Sequence, residues 1–230
     1  MKIKSFIVLS LIVTFSVNIF AQDDKKSPLT FSYEVGYANQ LRNGKEFAKL
    51  NIEGLRMGAL VKYSFTSRVF GQTGLLYEYL HYSHTQSYHS GAGNFRQSTA
   101  ANQLNLPLLV GYQIPLFSQV KFFAYGGPTV RFGLSESLLT ATTYPTDSTA
   151  KANLTALLKE EGLYRTDGFS NMYKDKELQR FSVLLSLGAG FEWSRFYLKG
   201  GYDFGLTNIN AQNKKRLTQG GWFVSLGYNF

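Results

Sequence analysis

Cysteine is missing altogether from this 230-residue sequence. That excludes a disulfide-stapled fold and a thiolate metal site, and leaves backbone ladders and packing to hold the chain together. Long apolar runs are almost as scarce. One occurs, at residues 6–20, and its length of about 15 residues falls short of the roughly 20 that a spanning helix needs. No second run follows, so no transmembrane helix is expected.

The one apolar run has the layout of an export signal. Lys2 and Lys4 precede it, Ala21 follows it, and Gln22, Asp23 and Asp24 begin a polar stretch. Residues 1–21 are read as a secretory signal peptide cleaved after Ala21, although Ile19 at the −3 position is not small. Residues 22–230 are read as one domain.

Aromatic rings and glycine are plentiful: 19 Phe, 15 Tyr and 22 Gly, at a mean hydropathy of only −0.15. A soluble domain would have to bury those rings in one core, whereas a membrane barrel shows them to lipid and gathers them in interfacial girdles. The net charge is +9; without Lys2 and Lys4, 22 basic residues against 15 acidic leave +7. A basic surface often marks nucleic-acid binding, but an exported chain rarely meets nucleic acid. The excess is assigned to loops and rims facing outer-membrane lipid and lipopolysaccharide.

Alternation with a period of two residues runs through the chain. At the C-terminus Trp222, Val224, Leu226, Tyr228 and Phe230 share one face and Phe223, Ser225, Gly227 and Asn229 the other. This segment resembles the terminal strand of outer-membrane proteins that barrel-assembly machinery reads as an insertion signal. Further strands are expected near 30–39, 51–63, 69–81, 102–113, 119–134, 179–193 and 195–208. Pro107 falls on the inner parity of its strand, so a bulge or rim position is expected there. The facing of 119–134 is ambiguous, with Val120, Phe122 and Val130 on one parity and Phe123 and Tyr125 on the other.

Short connections near 64–68, 114–118 and 193–195 alternate with longer polar ones near 40–50, 84–101, 135–178 and 209–217. Short turns on one side and long loops on the other distinguish periplasm from exterior in bacterial barrels. The expected fold is all-β: an eight-stranded antiparallel up-and-down transmembrane β-barrel in the outer membrane of a Gram-negative bacterium. A soluble lipocalin-like barrel would show the same alternation with its apolar side chains inward. The terminal Phe, the aromatic density at strand ends and the asymmetric loops favour the membrane form.

Several segments carry a family resemblance. Leu106-Pro107-Leu108-Leu109-Val110, Gly126-Gly127-Pro128, Gly188-Ala189-Gly190-Phe191-Glu192, and Tyr202 followed by Gly205-Leu206-Thr207-Asn208-Ile209 appear in order. Together they resemble the Bacteroidetes outer-membrane beta-barrel domain family, often called PorT-like, over nearly the whole mature chain. The signal ending in Ala21-Gln22 resembles that phylum too. The resemblance implies a fold and a location and no reaction; some members are tied to protein secretion.

Three constellations could carry chemistry. Glu34, Arg56, Lys62, Glu78, Glu192, Lys199 and Asp203 share the inward parity. Eight strands leave an interior just wide enough for side chains, so a charge-paired plug is expected and a wet ion path is the alternative. His81-Tyr82-Ser83 resembles the His-x-Ser pair of outer-membrane lipid A deacylases, but Glu78 lies on the opposite face and no lipid-facing acid stands out to orient the histidine. His81, His84 and His89 cluster without a preformed metal geometry. No catalytic residue, metal or cofactor is therefore expected.

The segment 135–178 is the longest connection, beyond the ~15 residues usual for structureless loops. Leu154, Leu157 and Leu158 predict a helix over 151–161, ended by Gly162. The expected role is structural, or binding of a protein partner through this loop. A small channel or a lipid A-modifying acyl hydrolase are the alternatives.

Overall fold

The computed structural model describes residues 28–44, 47–87, 94–144, 147–160, 168–212 and 216–230. The expected signal peptide, Gly162 and His89 lie outside the described residues. Among the described residues, alternating side chains produce nine strands: β1 (Leu29–Gly44), β2 (Phe47–Ser64), β3 (Val69–Ser87), β4 (Asn94–Phe117), β5 (Val120–Thr143), β6 (Gly168–Asn171), β7 (Phe181–Trp193), β8 (Phe196–Gly205) and β9 (Thr218–Asn229). One helix, α1 (Ser148–Glu160), falls between β5 and β6.

Eight strands pair in the order β4-β3-β2-β1-β9-β8-β7-β5, and β5 pairs back with β4. The sheet therefore closes on itself, all antiparallel, with first and last strands side by side: Val35 faces Leu226 and Tyr37 faces Val224. Closure removes the unpaired edges that a sheet would otherwise expose to lipid.

The outer surface follows the alternation. Val35, Leu55, Leu75, Leu106, Leu108, Val110, Leu187, Leu198, Val224 and Leu226 are exposed. Tyr63, Tyr112, Trp193 and Phe196 fringe the end with short turns; Tyr37, Tyr79, Phe132, Phe181, Phe204 and Trp222 fringe the other. An apolar belt between two aromatic girdles is the surface of a transmembrane barrel. No described helix is long and apolar enough to cross a membrane.

The short turns are residues 65–68, 118–119 and 194–195. Thr66 Oγ1 accepts from the Arg68 and Val69 amides, and Ser194 takes a left-handed φ of 55°. The expected turn at 114–118 is corrected: β4 runs through Pro115 to Phe117, leaving two residues.

Pro107 is neither at a rim nor at a bulge. Its strand keeps one register on both sides, Thr73↔Leu108 to Leu76↔Asn105 and Pro107↔Thr129 to Val110↔Gly126. That register places Gly74 across from Pro107. Gly74 has φ +157°, a conformation open to glycine, and a Cβ there would strike the Ala59 carbonyl. Glycine lets β3 adjust where proline offers no ladder donor.

The facing of β5 resolves into one parity as far as a bulge. Phe123, Tyr125, Thr129 and Arg131 are buried inside, on odd positions. Leu134 is then extra, because Asn102 pairs with Ser135 but Gln103 with Gly133. Parity switches, and Glu136, Leu138 and Thr140 become the buried side chains.

The barrel is also longer on one side than the sequence suggests: the connection expected at 40–50 is ladder out to Gly44↔Phe47, leaving two residues between β1 and β2. Stretches expected as loops, within 84–101 and 135–178, are ladder: β3 to β4 pairs out to Ser87↔Asn94 and β4 to β5 out to Asn94↔Thr143. β6 adds to β5 through Ser137↔Asn171 to Thr140↔Gly168. These four strands make a sheet standing above the membrane. Helix α1, capped by Asp147 Oδ2 on the Ala150 amide at 2.9 Å, packs Leu154 and Leu158 on Phe95 of β4. Leu157 is exposed.

Candidate functional site

The inside of the barrel is a column of layers. Nearest the short turns, Lys62 and Lys121 hold the two oxygens of Glu192 at 2.9 and 3.0 Å. This mouth opens into a small pocket lined by Gln72, Gln113 and Asn229. It ends on a layer of rings, where Phe123 meets Phe70 edge-on at 6.3 Å and Tyr197 at 6.3 Å. A Cβ on Gly227 would run into the Tyr197 ring, so glycine there makes room for it.

The middle layer is ionic. Glu34 is fully buried and takes Lys199 Nζ at 2.6 Å. Arg56 reaches Glu78 at 2.9 Å and Asp203 at 3.3 Å, and lies 3.9 Å above the Phe223 ring. Gln40 and Gln103 donate to Glu78 at 2.6 and 2.7 Å, and Ser186 donates to Asp203 at 2.6 Å. Arg131 donates to Asn105 at 2.8 Å and faces Glu78 at 3.6 Å. Above it Arg42 grips both oxygens of Glu136, at 2.5 and 2.6 Å.

Among the described residues, the lumen thus holds Arg42, Arg56, Lys62, Arg131 and Lys199 against Glu34, Glu78, Glu136, Glu192 and Asp203, with Lys121 half exposed at the inner mouth and outside this buried set. The charges balance, as burial in a narrow barrel demands, because an unpaired ion there would be very costly. Arg42, Arg131 and Glu136 were not among the seven inward charges expected from sequence; Arg131 lies on the strand whose facing was ambiguous. Arg42 lies beyond the expected end of the first strand, and Glu136 was placed in a loop.

The outer mouth is shut. Leu138 of β5 packs with Met172, Leu178, Ile209 and Leu217, all buried, from the connections that follow β6 and β8. Tyr173 joins them, and Arg180 lies 4.8 Å from its ring while donating to the Leu134 carbonyl. Burial and then the nearby Glu136 push the Tyr173 phenol up to about 12, so it stays neutral in any physiological setting.

The terminal-strand set Trp222, Val224, Leu226 and Phe230 is exposed on the lipid-facing side, with Tyr228 half-buried. His81 and Ser83 are also exposed and outward. The expectation that no outward acid accompanies them is corrected: Glu53 on β2 is exposed and is the cross-strand partner of His81. Alternation within β3 cannot find it, since the pairing partner belongs to another strand and depends on register. No group of three or more His, Cys, Asp or Glu among the described residues is placed to hold a metal; the His84 side chain lies outside what is described.

A closed eight-stranded antiparallel ring with an aromatic-edged apolar exterior defines the class of small outer-membrane barrels. The chain belongs to the outer membrane protein beta-barrel domain family, which matches residues 20–211. It is similar to solved structures of Ail, the attachment invasion locus protein of Yersinia pestis, at 12% identity and TM-score 0.34, covering 87% of this chain and 98% of that one. It is also similar to Neisserial surface protein A, at 13% and 0.41 over 87% and 97%, and to OprG from Pseudomonas aeruginosa, at 11% and 0.35 over 87% and 95%. No curated protein matches it.

Proposed function

We propose that this outer-membrane barrel is a sealed anchor that acts by binding on its extracellular side. One observation carries the reading: the lumen is filled by paired charges and its outer mouth is covered by the apolar lid of Leu138, Met172, Leu178, Ile209 and Leu217. A wet, continuous path is what a channel needs, and eight strands seldom leave one. What remains for function is the elaborated exterior: the raised β3-β4-β5-β6 sheet, helix α1 and the lid. Exposed Phe169 and Leu139, paired across β6 and β5, offer an apolar contact to a protein partner.

The proposal includes the finer biology. Export through residues 1–21, a place in the PorT-like branch of Bacteroidetes, recognition of the strand ending at Phe230 by the assembly machinery, and contact with lipopolysaccharide fit the sequence features given above. The test is a mild-detergent pull-down from native outer membrane, comparing the whole protein with one whose residues 144–180 are replaced by a short turn. Specific proteins that co-purify with the first and not the second support the reading. A barrel that emerges alone in both contradicts it.

A further inference from the structure

Three side chains with complementary chemistry stand on one outward patch at the extracellular rim. β3 carries His81 and Ser83 two residues apart, hence on the same face. β2 sets Glu53 directly opposite His81 in the antiparallel register. Directly opposed residues have Cβ atoms about 4.5–5.5 Å apart, within reach of a carboxylate–imidazole hydrogen bond. On the next strand, Tyr37 Oη donates to Glu53 Oε2. A carboxylate has lone pairs for further donors, so Tyr37 can steady it without excluding the imidazole.

Height on the barrel decides what this patch would meet. Leu55 and Tyr79 pair with each other one step nearer the membrane on the same two strands, and both are exposed. They end the apolar belt here. Acyl chains packed on that belt bring their ester linkages up to the level of His81 and Ser83. Ala100 stands opposite His81 on β4 and Ser98 opposite Ser83, so that flank carries small side chains with room for a lipid head.

We propose that Ser83, His81 and Glu53 act as nucleophile, general base and orienting acid in hydrolysing acyl esters of outer-leaflet lipid. His81 takes the Ser83 hydroxyl proton as Oγ bonds to the ester carbonyl carbon. The carbon–oxygen bond to the alcohol breaks, and the alcohol leaves with the proton from His81. Water, deprotonated by His81, then attacks the acyl-serine; fatty acid departs and Ser83 recovers its proton. Glu53 fixes the ring tautomer and its charge, and Tyr37 holds Glu53. Here the three residues are brought together by register and not by mutual hydrogen bonds; such contacts commonly tighten once substrate is present.

The test uses the purified full-length barrel in lipid–detergent micelles. An alkyl fluorophosphonate reports an activated serine whatever the true substrate, and hexa-acylated lipid A and phosphatidylethanolamine report released fatty acid by mass spectrometry. The expected result is label on Ser83, absent in Ser83→Ala and His81→Asn. Fatty-acid release from at least one lipid should fall about a thousandfold or more in both variants. Glu53→Gln should lower kcat with little change in KM, and Glu53→Asp should recover part of it. Each variant is first shown folded by its unheated gel mobility. Neither label nor release from folded protein, or release that persists in Ser83→Ala, overturns the proposal.

Discussion

Glu34 has no exposed surface and lies between Lys199 at 2.6 Å and Arg56 at 3.8 Å. Neutralising it leaves two cations facing each other in the lumen. Glu34→Gln should therefore cost about 3–5 kcal/mol of unfolding free energy, the size typical of breaking a buried pair. Glu53→Gln, on the exposed rim, should cost no more than about 0.5 kcal/mol. Urea midpoints of the two variants in one detergent test the contrast, and similar midpoints would contradict it. Side-chain facing was readable at this scale wherever a strand alternates cleanly: all seven charges assigned to the inside from parity lie inside. Cross-strand partners were not, because Glu53 meets His81 through a register that no single strand encodes.

Single elements explain the rest of what the sequence hid. Phe123 and Tyr125 of β5 belong to the ring layer inside the lumen while Phe122 lies on the outward parity, so that stretch could not be assigned by alternation; the Leu134 bulge then reverses the parity, and Glu136 passed for a loop residue. Polar residues such as Gln97, Ser98 and Thr99 look like loop yet lie in ladder, since strands above the membrane need no apolar face. Gly74 opposite Pro107 gives an element-level prediction. Gly74→Ala should destabilise the barrel by about 1–3 kcal/mol through its left-handed φ. Gly200→Ala, whose Cβ would meet ordinary contacts, should be nearly neutral. Equal effects in thermal melts would argue against the strained position.

The lid gives a second one. The Tyr173 phenol titrates near 12 in the folded chain against about 10 when free. Its contribution is complete below pH 10 and is lost as pH rises through about 12. The tyrosinate absorbance titration of Tyr173→Phe, subtracted from that of the native chain, should show one missing transition near 12. A missing transition near 10 would mean the lid is open in solution.

For the molecule as a whole, closure, sealing and elaboration go together. Eight strands give a bore that side chains fill, balanced charges make that filling stable, and the connections after β6 and β8 finish the seal. Strand number and the place of the short turns were legible in sequence because both follow from crossing a bilayer; the long connection expected at 40–50 was not, since β1 and β2 run on as ladder to Gly44↔Phe47. The seal was not, as it is assembled from Leu138, Met172, Leu178, Ile209 and Leu217, which are far apart in the chain. The central claim is that nothing passes through this barrel. Planar-bilayer recording of the folded full-length protein tests it directly. The account predicts a silent membrane across applied voltage. Discrete, salt-dependent conductance steps that copurify with the folded band would contradict it.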